Sequence, residues 1–304
     1  MKFVIAGGTG AIGSNLIKHI SSEHEVIILT RQESKEISNK IKQCHYTSKN
    51  IEEWAIELKG CDVLINLVGE SIASIRWSKN KKDKILKSRL ESINTISDAL
   101  DYIKYTPNMI INASAIGYYE NSIEKLDESG SHGDNFLASV VKKWEDLACK
   151  RFKSQSNKLA ILRIGVVLDR NSGMLFQMLP FFKMGLGAIT GSGKQILSWV
   201  HINDISKSII HIINNNLEGV INLVSPGSIS NYTFSKILGE VLKKPVFLKI
   251  PSIVLKSILG EISLLLLNSS NVHPKVLLES KYEFEFDNVD DALKDLITAH
   301  PDFK

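Results

Sequence analysis

The chain has 304 residues, with 37 Lys+Arg against 33 Asp+Glu and a formal net charge of +4. So mild a surplus argues against nucleic acid, which needs a concentrated basic face. A hydrophobic content of 43% with 23% charged residues excludes a largely disordered chain, and 19 Gly and 7 Pro without a period exclude a collagen-like one. Cys44, Cys61 and Cys149 form no CxxC pair, so neither a disulfide framework nor a zinc site is expected. Reduced thiols fit a cytoplasmic protein.

Lys2–Ala6 is a short apolar run that stops at glycines. It reads as a buried strand and is too short for a signal peptide. Gly7, Gly10 and Gly13 then have the spacing G-x-x-G-x-x-G, with Thr9, Ala11 and Ile12 between them. Gly7 suits a tight turn off the strand. Gly10 lets backbone approach a pyrophosphate, and Gly13 lets a following helix pack closely on a sheet. That helix, expected over Ile12–Ser22, offers unpaired N–H groups and a positive dipole end to the anion. The context of strand, glycine loop and helix points to dinucleotide binding.

Glu25–Leu29 reads as the second strand. NAD enzymes usually place an acid at its end to hold the ribose hydroxyls. Here the strand runs into Thr30 and Arg31, and an Arg suits the 2′-phosphate of NADP. Glu33 is the rival acid, further into the loop. Later strands are expected at Asp62–Leu67, Met109–Ala113, Leu159–Ile164 and Val220–Val224. Helices are expected at Lys79–Tyr105, Asn135–Phe152 and Asp204–Asn214, the last with Asp204 as its N-cap. Strands alternating with helices give right-handed crossovers and a parallel sheet covered on both faces. Gly191-Ser-Gly-Lys194 is no P-loop, because Ala188 and Gln195 stand where that loop needs Gly and Ser or Thr. Beyond Ser225–Asn231 the chain reads as a smaller, mixed part, giving expected domains of 1–224 and 225–304. Ile253–Leu267 is the most apolar late stretch, but Lys256 and Glu261 interrupt it. A buried helix is expected there and no membrane span.

Several blocks together resemble the extended short-chain dehydrogenase/reductase superfamily, in its NAD(P)-dependent epimerase/dehydratase group. They are Gly7–Gly13, Asn66–Glu70, Arg76-Trp77, Ser88-Arg89, Ser114–Tyr119, Gly133–Phe136, Trp144-Glu145, Leu162–Leu168 and Trp199–Ile202. More narrowly the chain resembles an epimerase-like family of cell-division-inhibitor homologues. The resemblance implies a Rossmann-like α/β fold with a doubly wound parallel sheet and a small C-terminal part. It implies that Leu67, Val68 and Gly69 lie along the adenosine and ribose. It also implies cofactor contacts at Arg89 and Val167. A homodimer through the two long helices is a further expectation, as is a small-molecule substrate.

The superfamily uses a Ser, a Tyr and a Lys four residues after that Tyr. Ser114 falls where the Ser belongs. The Tyr-x-x-x-Lys pair is missing, and Phe136 and Val140 take its place. Neither can carry a proton. Tyr118 is the first candidate to replace the acid, in which case it donates a proton to a substrate carbonyl. Tyr118 and Tyr119 fit packing at the loop base equally well. For Glu145 an Arg or N–H partner is expected. Two functions stay open: an NADP-dependent oxidoreductase or epimerase, and a non-catalytic NADP(H)-binding protein.

Overall fold

The computed structural model describes residues 1–72 and 76–298; residues 299–304, at the end of the expected C-terminal part, lie outside the described residues. The first units are β1 (Lys2–Ala6), α1 (Ala11–Ile20), β2 (Glu25–Thr30), β3 (Lys35–Ser38), β4 (Ile41–His45) and β5 (Val63–Asn66). There follow α2 (Lys79–Ile103), β6 (Met109–Ala115), β7 (Ser122–Leu126), α3 (Phe136–Phe152), β8 (Lys158–Ile164) and β9 (Val166–Asp169). Then come α4 (Gly173–Lys183), β10 (Ala188–Thr190), β11 (Ile196–Leu197), β12 (Trp199–His201), α5 (Ile202–Asn214) and β13 (Gly219–Leu223).

The main sheet has 8 strands in the order β13-β8-β6-β5-β1-β2-β4-β3. Every pairing in it is parallel except β3 with β4. The strand order reverses at β1, so the sheet is doubly wound and Rossmann-like, with ligand crevices at its carboxyl ends. Its central strands are almost wholly buried because helices cover both faces. The β3–β4 ribbon was not expected from the sequence. Lys35–Ser38 is exposed along its whole length, so no alternation of buried and exposed residues marks it.

The later chain continues with β14 (Ile229–Ser230), α6 (Asn231–Val241), β15 (Leu248–Ile250), α7 (Ser252–Leu259), α8 (Leu264–Leu267), β16 (Ser270–Val272), α9 (Lys275–Glu279) and α10 (Val289–Thr298). It is stitched into the earlier elements. β15 pairs with β10, β14 with β11, and β16 with β7. Ile253–Leu267 is not the single buried helix expected. A turn at Gly260 (φ 60°) separates α7 from α8, and Ile253 is 75% exposed. No described helix is long and apolar enough to cross a membrane.

Asp204 is not the cap of α5. The helix starts at Ile202, and His201 caps it by accepting the Asn203 N–H on Nδ1 at 3.2 Å. Asp204 instead accepts the backbone N–H groups of Glu285 and Phe286 at 2.9 and 3.0 Å and the Tyr282 hydroxyl at 3.0 Å. A buried carboxylate with three such donors fastens the segment leading into α10 to the sheet domain.

With Nδ1 accepting, the neutral His201 ring carries its proton on Nε2, which faces Asp295 at 3.3 Å. Burial lowers its pKa below the ordinary 6.5, and the Asp295 charge only partly offsets that. As pH falls, the unfolded chain therefore takes up this proton first. The stability tied to His201 is complete above about pH 6.5 and is lost as pH falls further. Thermal melts at pH 7.5 and 5.5 should show a larger loss for the wild type than for His201→Asn, which keeps a capping oxygen. An equal or smaller wild-type loss would contradict the assignment.

Candidate functional site

A cavity of about 440 Å³ opens at the carboxyl ends of β1, β2 and β5. The predicted residues Gly7, Thr9, Gly10, Thr30, Arg31, Leu67, Val68 and Gly69 line it. Gly7 has φ +80, and a Cβ there would come within 3.0 Å of the Leu67 backbone. Only glycine fits that turn. A Cβ at Gly13 would lie 2.5 Å from Gly8 Cα, so α1 can reach the loop only without one. Gly10 differs. Its φ of −76° suits any residue, and a Cβ there would meet only the Gly7 carbonyl oxygen, at 3.3 Å.

Gly10 gives α1 no side-chain cap, and the first turn holds no acid. Ser14 is the first amide bonded back to Gly10, and the amides of Ala11, Ile12 and Gly13 make no hydrogen bond within the described chain. Such a helix start fits a phosphate group. Ala11, Ile12 and Gly13 do not form the cavity wall, and present only these amides. Arg31 stands exposed at the mouth, beside Tyr46, whose pKa burial pushes up to about 12.

Of the rest of the wall, Glu70 and Ser88 fall in the blocks quoted from the sequence, and the other residues were not singled out. Tyr46, Thr47 and Ser48 follow β4, and Ser88, Glu91, Ser92 and Thr95 come from α2. The hydroxyl residues recur on one face of α2, which is the signal that could have found them. Arg89 lines no part of this cavity. It donates to the carbonyls of Glu70 and Ile85 at 3.1 and 2.8 Å and packs over the Trp144 ring. Burial lowers its pKa to about 10. It braces the turn at Gly69, where a Cβ would meet its guanidinium carbon at 3.2 Å. Glu70 is held well within its ionised form by a hydrogen bond from Lys81 at 2.7 Å.

A second cavity, of about 330 Å³, lies beyond the ends of β6 and α3's first turn. Trp77, Ile116, Phe136, Leu137, Val166 and Ile196 line one side, and Leu264 and Leu265 of the late helices the other. Trp77 and Phe136 pack ring against ring at 5.5 Å. Val140 is buried in α3. Val167 lines neither cavity; its neighbour Val166 faces the second.

Behind Tyr119, which lines the second cavity, a buried polar network fills the carboxyl ends of β6, β8 and β13. Ser114, Arg163 and Asn222 stand in register across these strands. Glu145 of α3 takes Arg163 Nε and Nη2 on its two oxygens, at 2.9 and 2.8 Å. Burial disfavours the Arg163 charge, but Glu145 and the Tyr119 hydroxyl more than offset this and raise its pKa above the usual range. The Ser114 hydroxyl donates to the same Glu145 oxygen at 2.5 Å. Its only proton is therefore committed to Glu145, which corrects the expectation that it donates to a substrate oxygen. The partner expected for Glu145 is Arg163.

Tyr119 is buried, donates to Asn222 Oδ1 at 2.6 Å and accepts from Arg163 at 2.9 Å; burial pushes its pKa to about 12. Tyr118 lies flat against the Arg163 guanidinium, 3.5 Å from ring centre to carbon, and does not line the second cavity. That contact gives the Tyr118 ring a packing role. Arg163, Asn222 and Asn112 were not singled out from the sequence. Each is a polar residue that interrupts an apolar strand, and such interruptions are legible signals.

A doubly wound sheet with a nucleotide-sized cavity at its glycine turn defines a Rossmann-like protein with a helix-bearing C-terminal addition. Residues 3–224 match the NAD dependent epimerase/dehydratase family, and residues 250–296 match a domain of unknown function, DUF1731. The chain belongs to the NAD dependent epimerase/dehydratase family. It is 33% identical to mouse epimerase family protein SDR39U1 over 304 residues, which covers 98% of this chain and 100% of the relative. An epimerase family protein of Staphylococcus saprophyticus is 32% identical, with 97% and 99% covered. The crystal structure of human SDR39U1 with NADPH matches with a TM-score of 0.87 at 31% identity, over 97% of this chain and 99% of that one. Thermus thermophilus UDP-glucose 4-epimerase, solved with NAD, shares the fold at a TM-score of 0.74 and 15% identity, over 97% of each chain.

The network makes different demands of its members. Arg163→Leu leaves Glu145 buried without its counter-charge and should cost about 3–5 kcal/mol. Ser114→Ala removes one donor to a carboxylate that keeps two others, and should cost roughly 1–2 kcal/mol. Urea unfolding of the two variants measures both. A Ser114→Ala loss as large as that of Arg163→Leu would contradict this ordering.

Proposed function

We propose that this chain binds NADPH in the glycine-loop cavity and works as a nicotinamide-dependent oxidoreductase on a small molecule held in the second cavity. The observation that carries this reading is the unpartnered start of α1 facing Gly10, with Arg31 at the end of β2. The human relative solved with NADPH supports it. When bound, the nicotinamide supplies hydride exchange. The α1 amides hold the pyrophosphate, and Arg31 holds the 2′-phosphate through charge-assisted contacts. Arg89 and Lys81 fix the Gly69–Glu70 turn beside the adenosine and ribose. The Arg163 network keeps the wall at Tyr119 rigid.

Phe136 and Val140 move no proton, and Ser114 and Tyr118 are engaged with Glu145 and Arg163. These same observations favour a second reading, an NADPH-binding protein that does not turn over. The two readings part on one assay. Oxidation of NADPH by a pool of carbonyl metabolites, followed at 340 nm, supports the oxidoreductase; bound NADPH that no carbonyl oxidises supports the binding protein.

Arg31→Asp should weaken NADPH binding by roughly tenfold to a hundredfold, the equivalent of one charge-assisted contact, while sparing NADH. Calorimetry with both cofactors checks this, and equal losses would remove Arg31 from the role. Gly10→Val should keep the fold, because its backbone angles suit a β-branched residue, yet abolish binding of both cofactors. Full-affinity binding by a folded Gly10→Val protein would relocate the site.

A further inference from the structure

We infer that the second cavity receives an uncharged, largely apolar ring compound and rejects nucleoside-diphosphate sugars. The inference rests on that cavity being the substrate site of the proposed oxidoreductase.

Charge comes first. A nucleoside diphosphate brings a pyrophosphate that must be matched by cations wherever it leaves bulk water. Among the described residues lining this cavity none is Lys or Arg, while Glu120 and Glu261 both face it. Two cations stand behind the lining, and both are paired: Lys82, over the Phe136 ring at 4.8 Å, with Glu261, and Arg163, 4.8 Å from the Tyr119 ring, with Glu145. Arg76, next to Trp77, donates to the backbone carbonyls of Ser257 and Ile258 at the end of α7. A pyrophosphate would meet Glu120, the Glu261–Lys82 pair and no Lys or Arg among the described lining residues, so its own desolvation would go uncompensated.

Shape and polarity point the same way. Trp77 and Phe136, tilted at 59°, form an aromatic wall against which a ring can stack or sit edge-on. Ile116, Leu137, Leu264 and Leu265 continue the apolar surface. Most polar side chains on the wall are spent within the chain. Asn135 accepts from the Ala138 N–H, Asn121 from the Ser269 N–H and Ser269 from the Ile196 N–H, while Ser198 donates to the Ser270 carbonyl. The side-chain amide of Asn268 and the hydroxyl of Ser270 have no such bond among the described residues, and either can meet a polar group of a ligand, such as a ketone oxygen.

Calorimetric titration of the full chain, with and without NADP⁺, using 2-acetylnaphthalene and UDP-glucose as probes, tests this inference. The ketone should bind at least about tenfold more tightly than the sugar nucleotide. Phe136→Leu should weaken the ketone roughly threefold to tenfold, the range of a lost aromatic pair. Leu264→Lys, a separate change on the opposite wall, should weaken it as well. UDP-glucose binding as tightly as the ketone would overturn the inference. So would a ketone that binds both folded variants with unchanged affinity, or the absence of ketone binding. NADPH titrated into the same samples separates the two claims: NADPH bound without the ketone sinks the substrate class alone, whereas no NADPH binding sinks the cofactor reading.

Discussion

The ion pair between Arg163 and Glu145 is the constraint on which the rest of this structure turns. Both charges are removed from water, and a buried charge is tolerated only with its partner and further hydrogen bonds in place. Glu145 meets that demand by taking two donors from Arg163 and one from Ser114. Arg163 meets it with the Tyr119 hydroxyl, the Glu128 carbonyl and the face of Tyr118. The pair thereby fixes the carboxyl end of β6, the crossover helix α3, β8 and the loop after β6. It also draws Ser114, Tyr118 and Tyr119 into contacts within the chain. A hydroxyl that must complete a buried carboxylate is not available to a substrate.

The same network reaches the late chain. Asn222 donates to the His273 carbonyl, and the Glu128 carboxylate accepts the backbone amides of Asn222 and Val276. Asp204 fastens residues 285 and 286. The C-terminal segment is thus held by buried hydrogen bonds on two sides, and α8 comes to line the second cavity. The glycine-loop cavity is built entirely by the first hundred or so positions of the chain, from Gly7 to Thr95, whereas the apolar cavity is complete only when Leu264 and Leu265 arrive. The two cavities are therefore written in different stretches of sequence.

That division decides what a reader of the sequence can see. The glycine spacing is local, and its strand-turn-helix context follows from periodicity, so Gly7, Gly13 and Arg31 were legible. Ser114 was placed at the right strand end, but its partner Glu145 lies on another element and no local pattern links them. Asp favours the cap position, but α5 starts earlier: the His201 ring nitrogen accepts the Asn203 amide, and Asp204 is left for a long-range role. Ile253–Leu267 was read as a buried helix because apolar content usually means burial. Gly260 breaks it, and Ile253 and Ile258 remain outside. The β3 strand carries no hydrophobic period at all, and only its pairing with β4 reveals it.

The central claim is that the dinucleotide lies against the start of α1 and the ends of β2 and β5. Hydrogen exchange read by mass spectrometry, with and without NADPH, tests it most directly. The account predicts slower exchange on binding at residues 7–14, 30–31, 46–48 and 67–70. The amides of β6 and β8 beneath the Arg163 network should be slow in both states. Protection confined to other segments, or unchanged exchange at the amides of Ala11, Ile12 and Gly13 with NADPH saturating, would contradict it.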